Sequence, residues 1–85
     1  MKAQVILYTK PGCHLCEVMK REIASAGCDE LFVLEEINIE NDPELFARFR
    51  FDIPILFING TQTFQHRLTA ESFKEALTRV ITRLS

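Results

Sequence analysis

Tyr8-Thr9-Lys10-Pro11-Gly12-Cys13-His14-Leu15-Cys16 joins two different residue patterns. It begins inside Val5-Ile6-Leu7-Tyr8, a short continuous apolar run of the kind a buried strand carries. Lys10-Pro11-Gly12 breaks that run, and a helical pattern starts at or just after Cys13. Two cysteines therefore share one helical turn, the first of them at the helix start. Unpaired backbone N–H groups and the positive end of the helix dipole meet there. A thiolate is favoured over a thiol in that position and becomes a nucleophile near neutral pH. A Cys-x-x-Cys pair on a strand-to-helix junction is the sequence form of a dithiol redox site.

Composition sets the bounds around that motif. A chain of 85 residues, 47% of them hydrophobic, makes one domain over residues 1–85 of modest stability. The formal net charge of −2 argues against a nucleic-acid partner, which favours a basic face. Lys and Arg are dispersed, so no electrostatic membrane anchor is expected. No apolar run reaches the length of a membrane span or a signal-peptide core, and the expectation is a cytoplasmic monomer. Three cysteines, with one close pair, read as reactive rather than as a disulfide framework.

Outward from the motif, the elements alternate quickly. A strand is expected over residues 4–9. The helix of residues 14–26 then places Leu15, Met19, Ile23 and Ala26 on one face, with Gly27 as its stop. Leu31-Phe32-Val33-Leu34 opens a second strand running to Ile39, expected to have a buried inner part. Asp42-Pro43 is a helix start, with Asp42 as N-cap and Pro43 at the first helical position. That short helix should turn Leu45, Phe46 and Phe49 to the core and stop before Ile53-Pro54. Ile55-Leu56-Phe57-Ile58 reads as a fully buried strand, and Asn59-Gly60 as a hairpin turn into a strand at residues 62–65. Thr69 caps a last helix of residues 70–84, whose apolar stripe is Phe73, Leu77, Val80, Ile81 and Leu84. The order β-α-β-α-β-β-α predicts an α/β domain. The first βαβ unit gives parallel strands and the hairpin an antiparallel pair, so the four-stranded sheet is mixed, with helices over its faces.

This order, with Cys13-His14-Leu15-Cys16 after the first strand and Ile53-Pro54 before the third, resembles the thioredoxin fold. Within that fold the chain is similar to the glutaredoxins, especially short glutaredoxin-like proteins whose motif begins Tyr-Thr-Lys-Pro-Gly-Cys. The resemblance implies that Cys13 attacks and Cys16 resolves. It implies a cis Pro54 beside the active pair, with Ile53 offering its backbone to an extended thiol substrate. Lys10 matches a lysine that glutaredoxins place near the glutathione carboxylate, and Tyr8 is expected to pack beneath the site. Two departures stand out: His14-Leu15 replaces Pro-Tyr, and Phe64-Gln65-His66-Arg67-Leu68-Thr69 lacks the Gly-Gly-acid signature that holds glutathione's α-amino end.

The expected function is a thiol–disulfide oxidoreductase that reduces protein disulfides or glutathione mixed disulfides. No tightly bound cofactor is expected, and glutathione enters only as a candidate co-substrate. Three readings of neighbouring residues stay open. A protonated His14 would stabilise the Cys13 thiolate, or it is simply a solvent-facing residue. Lys10, Arg48 and Arg50 form a cationic rim or are ordinary surface charges. Cys28 is a small apolar residue or a redox partner, although a helix separates it from Cys16 too far for a disulfide. Zinc is not expected, because Cys13, Cys16, Cys28 and His66 lack the spacing of a tetrahedral site. Two alternatives to the enzyme are an iron–sulfur-cluster-binding module dependent on glutathione, since thiolates ligate such clusters, and a redox-inactive interaction domain.

Overall fold

The side chains of β1, Ala3–Thr9, alternate between two covers, and that alternation organises the molecule. The structure is a computed structural model describing residues 2–84, with side chains described up to residue 82. Ala3, Val5 and Leu7 join Met19 and Ile23 of α1 (His14–Ser25) and Phe73 and Leu77 of α3 (Ala70–Leu84) in one apolar cluster. Tyr8 points to the opposite face, against Phe46 and Phe49 of α2 (Pro43–Phe49). β3, Ile55–Ile58, repeats the division: Leu56 and Ile58 face α1 and α3, whereas Ile55 and Phe57 face α2. A continuous apolar run is what a strand covered on both faces needs.

The sheet order is β2-β1-β3-β4, where β2 is Phe32–Asn38 and β4 is Thr61–Gln65. β1 pairs parallel with β2 and antiparallel with β3, so the mixed sheet expected from the element order is present. The Asn59-Gly60 turn has both residues at positive φ, 49° and 82°, which is the backbone a tight two-residue hairpin requires. It is also clamped to β1. The Asn59 N–H donates to the Gln4 carbonyl at 2.8 Å, and the Asn59 side-chain oxygen accepts from the Gln4 N–H at 2.9 Å. The register shifts between Leu56 and Phe57, where Thr63 bulges out of the β4 ladder.

One expectation is corrected. Leu31-Phe32-Val33-Leu34 is not a buried run: Phe32 is covered, edge-on against the Phe73 ring at 5.2 Å, while Leu31, Val33 and Leu34 are exposed. β2 is an edge strand with one neighbour, and α2 is seven residues long, so neither side of β2 is fully roofed. Ile39 is not in the strand either. It is fully buried in a short 3-10 turn, Ile39–Asn41, that leads into α2. The other boundaries agree with the residue pattern to within one position, and Leu84 lies outside the described side chains.

Helix ends account for most of the local hydrogen bonding. The Asp42 carboxylate accepts from the Glu44 and Leu45 N–H groups at 2.9 and 3.4 Å, with Pro43 at the first helical position. Thr69 and Ser72 cap α3 reciprocally: the Thr69 hydroxyl accepts from the Ser72 N–H, and the Ser72 hydroxyl from the Thr69 N–H, both at 3.0 Å. Asp42→Ala should cost about 1 kcal/mol of stability, the usual loss for an N-cap. Urea unfolding checks this, and an unchanged midpoint would mean that water replaces the cap.

Candidate active site

Gly12, at φ +78°, turns the chain from β1 into α1 and leaves Cys13 as the N-cap residue. The Cys13 sulfur accepts a hydrogen bond from the Cys16 N–H at 3.1 Å, and the Cys13 carbonyl accepts from the Glu17 N–H at 3.2 Å. One of the orphan donors of the helix is thus aimed at the sulfur. Cys13 and Cys16 are joined as a disulfide with Cα atoms 5.2 Å apart. Their exposures differ: Cys13 is partly open to solvent, whereas Cys16 is 2% exposed.

Beneath the pair lies the smaller apolar cluster. Cys16, Ile39, Phe49, Ile53 and Ile55 are buried together, with Cys13 and Tyr8 packed against them. Tyr8 stacks on Phe49 at 4.8 Å between centroids and meets Phe57 edge-on at 5.6 Å. Tyr8 thus lies beneath the site as an aromatic support.

The Ile53–Pro54 peptide bond is cis. Pro54 is fully buried, and Ile53 packs in the same cluster as Cys16. The backbone of Ile53 is not wholly turned to solvent, as the resemblance and the proline had implied. Its N–H donates to the Phe49 carbonyl at 3.1 Å, because the last turn of α2 still has carbonyls to satisfy. Among the described residues no donor reaches the Ile53 carbonyl.

Three residues outside the motif hold this loop and the adjacent helix. His66 adopts φ +67° and its N–H donates to the Pro54 carbonyl at 2.7 Å. The Gln65 side-chain amide donates to the Asp52 carboxylate at 3.2 Å. The Glu22 carboxylate, on α1, accepts from the Ala70 N–H at the start of α3, at 2.9 Å. Nothing local in the sequence marks these pairings, since each spans a tertiary contact. His66-Arg67 is a polar turn as its composition suggests, but His66 also anchors the proline loop.

The remaining candidates are placed as follows. Lys10 is exposed and lines a cavity of about 140 Å³ beside the disulfide, together with Gly12, Cys13, Cys16, Lys20 and Glu36. His14 is exposed at the first helical position, and no hydrogen bond ties its imidazole to either cysteine. Lys20 pairs with Glu17 one turn away and with Glu36 on β2 at 3.4 Å. The Glu17 carboxylate, aided by Glu36, raises its pKa above the ordinary 10.5. Stability from a raised lysine is present below the ordinary value and fades only as pH rises through the raised one. The pairing is therefore constant wherever thiol chemistry runs. Cys28 is buried in the larger cluster, where its thiol donates to the Ala26 carbonyl at 3.3 Å. Among the described residues no group of three or more His, Cys, Asp or Glu is arranged to hold a metal ion. None of the described helices is long and apolar enough to cross a membrane.

A β-α-β-α-β-β-α sheet with a Cys-x-x-Cys pair at the first helix start and a cis-proline beside it defines the thioredoxin superfamily. Comparison with known proteins agrees. The model of the Glutaredoxin-like domain (DUF836) matches residues 4–78, and the chain belongs to that family. A Dictyostelium discoideum protein named glutaredoxin-like protein YDR286C homolog is 36% identical over 67 residues, covering 72% of this chain. The chain spans 62% of that relative's length. Among solved structures, protein XcR50 from X. campestris aligns over 88% of this chain and 96% of its own, with TM-score 0.75 and 20% identity. Chloroplastic thioredoxin z aligns over 95% and 80%, with TM-score 0.77 and 18% identity. Ne2328 from Nitrosomonas europaea aligns over 89% and 92%, with TM-score 0.73 and 24% identity. At such identities the structures establish the fold. The family and the cysteine pair together point to thiol redox chemistry.

Oxidised protein digested without reductant should yield a Cys13–Cys16 cross-link, with Cys28 alkylated only after unfolding. Peptide mass mapping checks this. Rapid labelling of Cys28 in the folded protein would contradict its burial.

Proposed function

We propose that the protein is a dithiol oxidoreductase that reduces disulfides in polypeptides, with Cys13 attacking and Cys16 resolving. The observation that carries this reading is the asymmetry of the pair: an accessible sulfur receiving a helix N–H, bonded to a sulfur sealed in an apolar cluster. In the reduced protein the Cys13 thiolate attacks one sulfur of the substrate disulfide, and the other leaves as a thiolate. Cys16 then attacks the Cys13 sulfur, and its proton passes to the departing substrate sulfur. The Cys13–substrate bond breaks, the second substrate sulfur leaves as a thiol, and two electrons have passed to the substrate.

The free Ile53 carbonyl supports an extended polypeptide lying beside the pair, where a substrate N–H could add to it in strand fashion. Lys10 lies on the rim of the same site, in place to meet a substrate carboxylate. Glutathione is the less favoured substrate on one specific ground. Two of the first three amides of α3 are already taken, Ala70 by the Glu22 carboxylate and Ser72 by the Thr69 hydroxyl, and the Glu22 charge at that helix start opposes a second carboxylate. Cytoplasmic residence, monomeric state and freedom from a bound cofactor belong to the same proposal. What supports the compartment is the use of cysteine as one close reactive pair rather than as a disulfide framework.

Cys13→Ser should abolish disulfide exchange, whereas Cys16→Ser should accumulate a mixed disulfide through Cys13. Mass spectrometry after incubation with a disulfide peptide checks both. Exchange retained by Cys13→Ser would overturn the proposal.

A further inference from the structure

Phe51 is 79% exposed, whereas the other exposed large apolar residues, Leu31, Val33 and Leu34, lie between 38% and 45%. It sits on the loop between α2 and β3, two residues before Ile53, so its Cα is at most about 7 Å from that of Ile53. The most solvent-exposed aromatic residue among those described therefore stands beside a backbone acceptor, the Ile53 carbonyl, that no protein donor uses.

Its surroundings are cationic. The Arg50 guanidinium lies over the Phe51 ring at 4.6 Å and over Phe46 at 5.8 Å, and Arg48 lies over Phe49 at 5.0 Å. Among the described residues neither arginine has a carboxylate partner. Asp52, the acidic residue of the loop, is engaged by Gln65. In a chain of net charge −2, this ridge presents two unneutralised guanidinium groups held on aromatic faces. Arginine stacked on a ring is preorganised, and it keeps its N–H edge free for a carboxylate.

We propose that the Arg48–Phe51 ridge is a docking platform for polypeptide disulfides flanked by acidic and apolar residues, which makes Phe51 and Arg50 specificity determinants. The inference rests on the dithiol reading above and names its substrate class. A substrate strand that meets the Ile53 carbonyl runs past the ridge, where an apolar side chain covers Phe51 and a carboxylate meets Arg50. Exposed aromatic rings and arginines are the residue types that dominate such contacts.

The test uses reduced full-length protein and two synthetic peptides, each closed by one disulfide and carrying a leucine near the attacked cysteine. One has aspartates on either side of that cysteine and the other has lysines. Hydroxyethyl disulfide serves as the small comparator. The aspartate peptide should react about tenfold faster than the lysine peptide, and this ratio should shrink in high salt. Phe51→Ala and Arg50→Gln should each reduce the rate ratio of aspartate peptide to hydroxyethyl disulfide several-fold, while circular dichroism confirms folding. Equal peptide rates, or an unchanged ratio in both variants, would overturn the docking proposal alone. Failure of the wild-type protein to react with either peptide or with hydroxyethyl disulfide would overturn the dithiol reading and this proposal together.

Discussion

The hydrogen bond from the Cys16 N–H to the Cys13 sulfur ties the chemistry of the site to its architecture. It exists because Cys13 is the N-cap of α1, a position it holds because Gly12 lets the chain leave β1 through a positive φ. A sulfur beyond the first turn of the helix would find its neighbouring amides committed to carbonyls four residues back. The same geometry drops Cys16 onto the inner face of the helix, where Ile39, Phe49, Ile53 and Ile55 exclude water. One turn of helix thus separates a partly exposed cysteine from a buried one.

The two apolar clusters divide the labour. The larger, between the sheet and α1 with α3, holds the fold and contains Phe73 and Leu77 at its centre. The smaller, under α2, includes Cys16 itself and the residue preceding the cis-proline. Site and support are therefore one packed unit on that face. Its rim is held by polar pairings, from His66 to the Pro54 carbonyl and from Gln65 to Asp52, rather than by further apolar burial. An open rim thus surrounds a closed apolar floor.

Much of this was legible in the residue order because it depends on local rules. The Asn59-Gly60 turn, the Asp42-Pro43 start and the helix after Cys13 each follow from the backbone preferences of residues adjacent in sequence. β2 departs from its residue pattern for a tertiary reason. Leu31-Phe32-Val33-Leu34 looks like a core strand, but its burial depends on which strands flank it and on the reach of α2. The same limit hid Glu22, which reads as a surface charge on α1 and in fact caps α3, 48 residues further along. It also hid the use of the Ile53 N–H by Phe49, since a helix's last carbonyls accept whatever donor the following loop brings back.

The central claim is a division of roles between two sulfurs set by helix position and burial. Site-resolved alkylation of the fully reduced, folded protein tests it most directly: limiting iodoacetamide at neutral pH, then peptide mapping. The account predicts label on Cys13, with Cys16 and Cys28 nearly untouched. Label first on Cys16, or equally on all three cysteines, would contradict it.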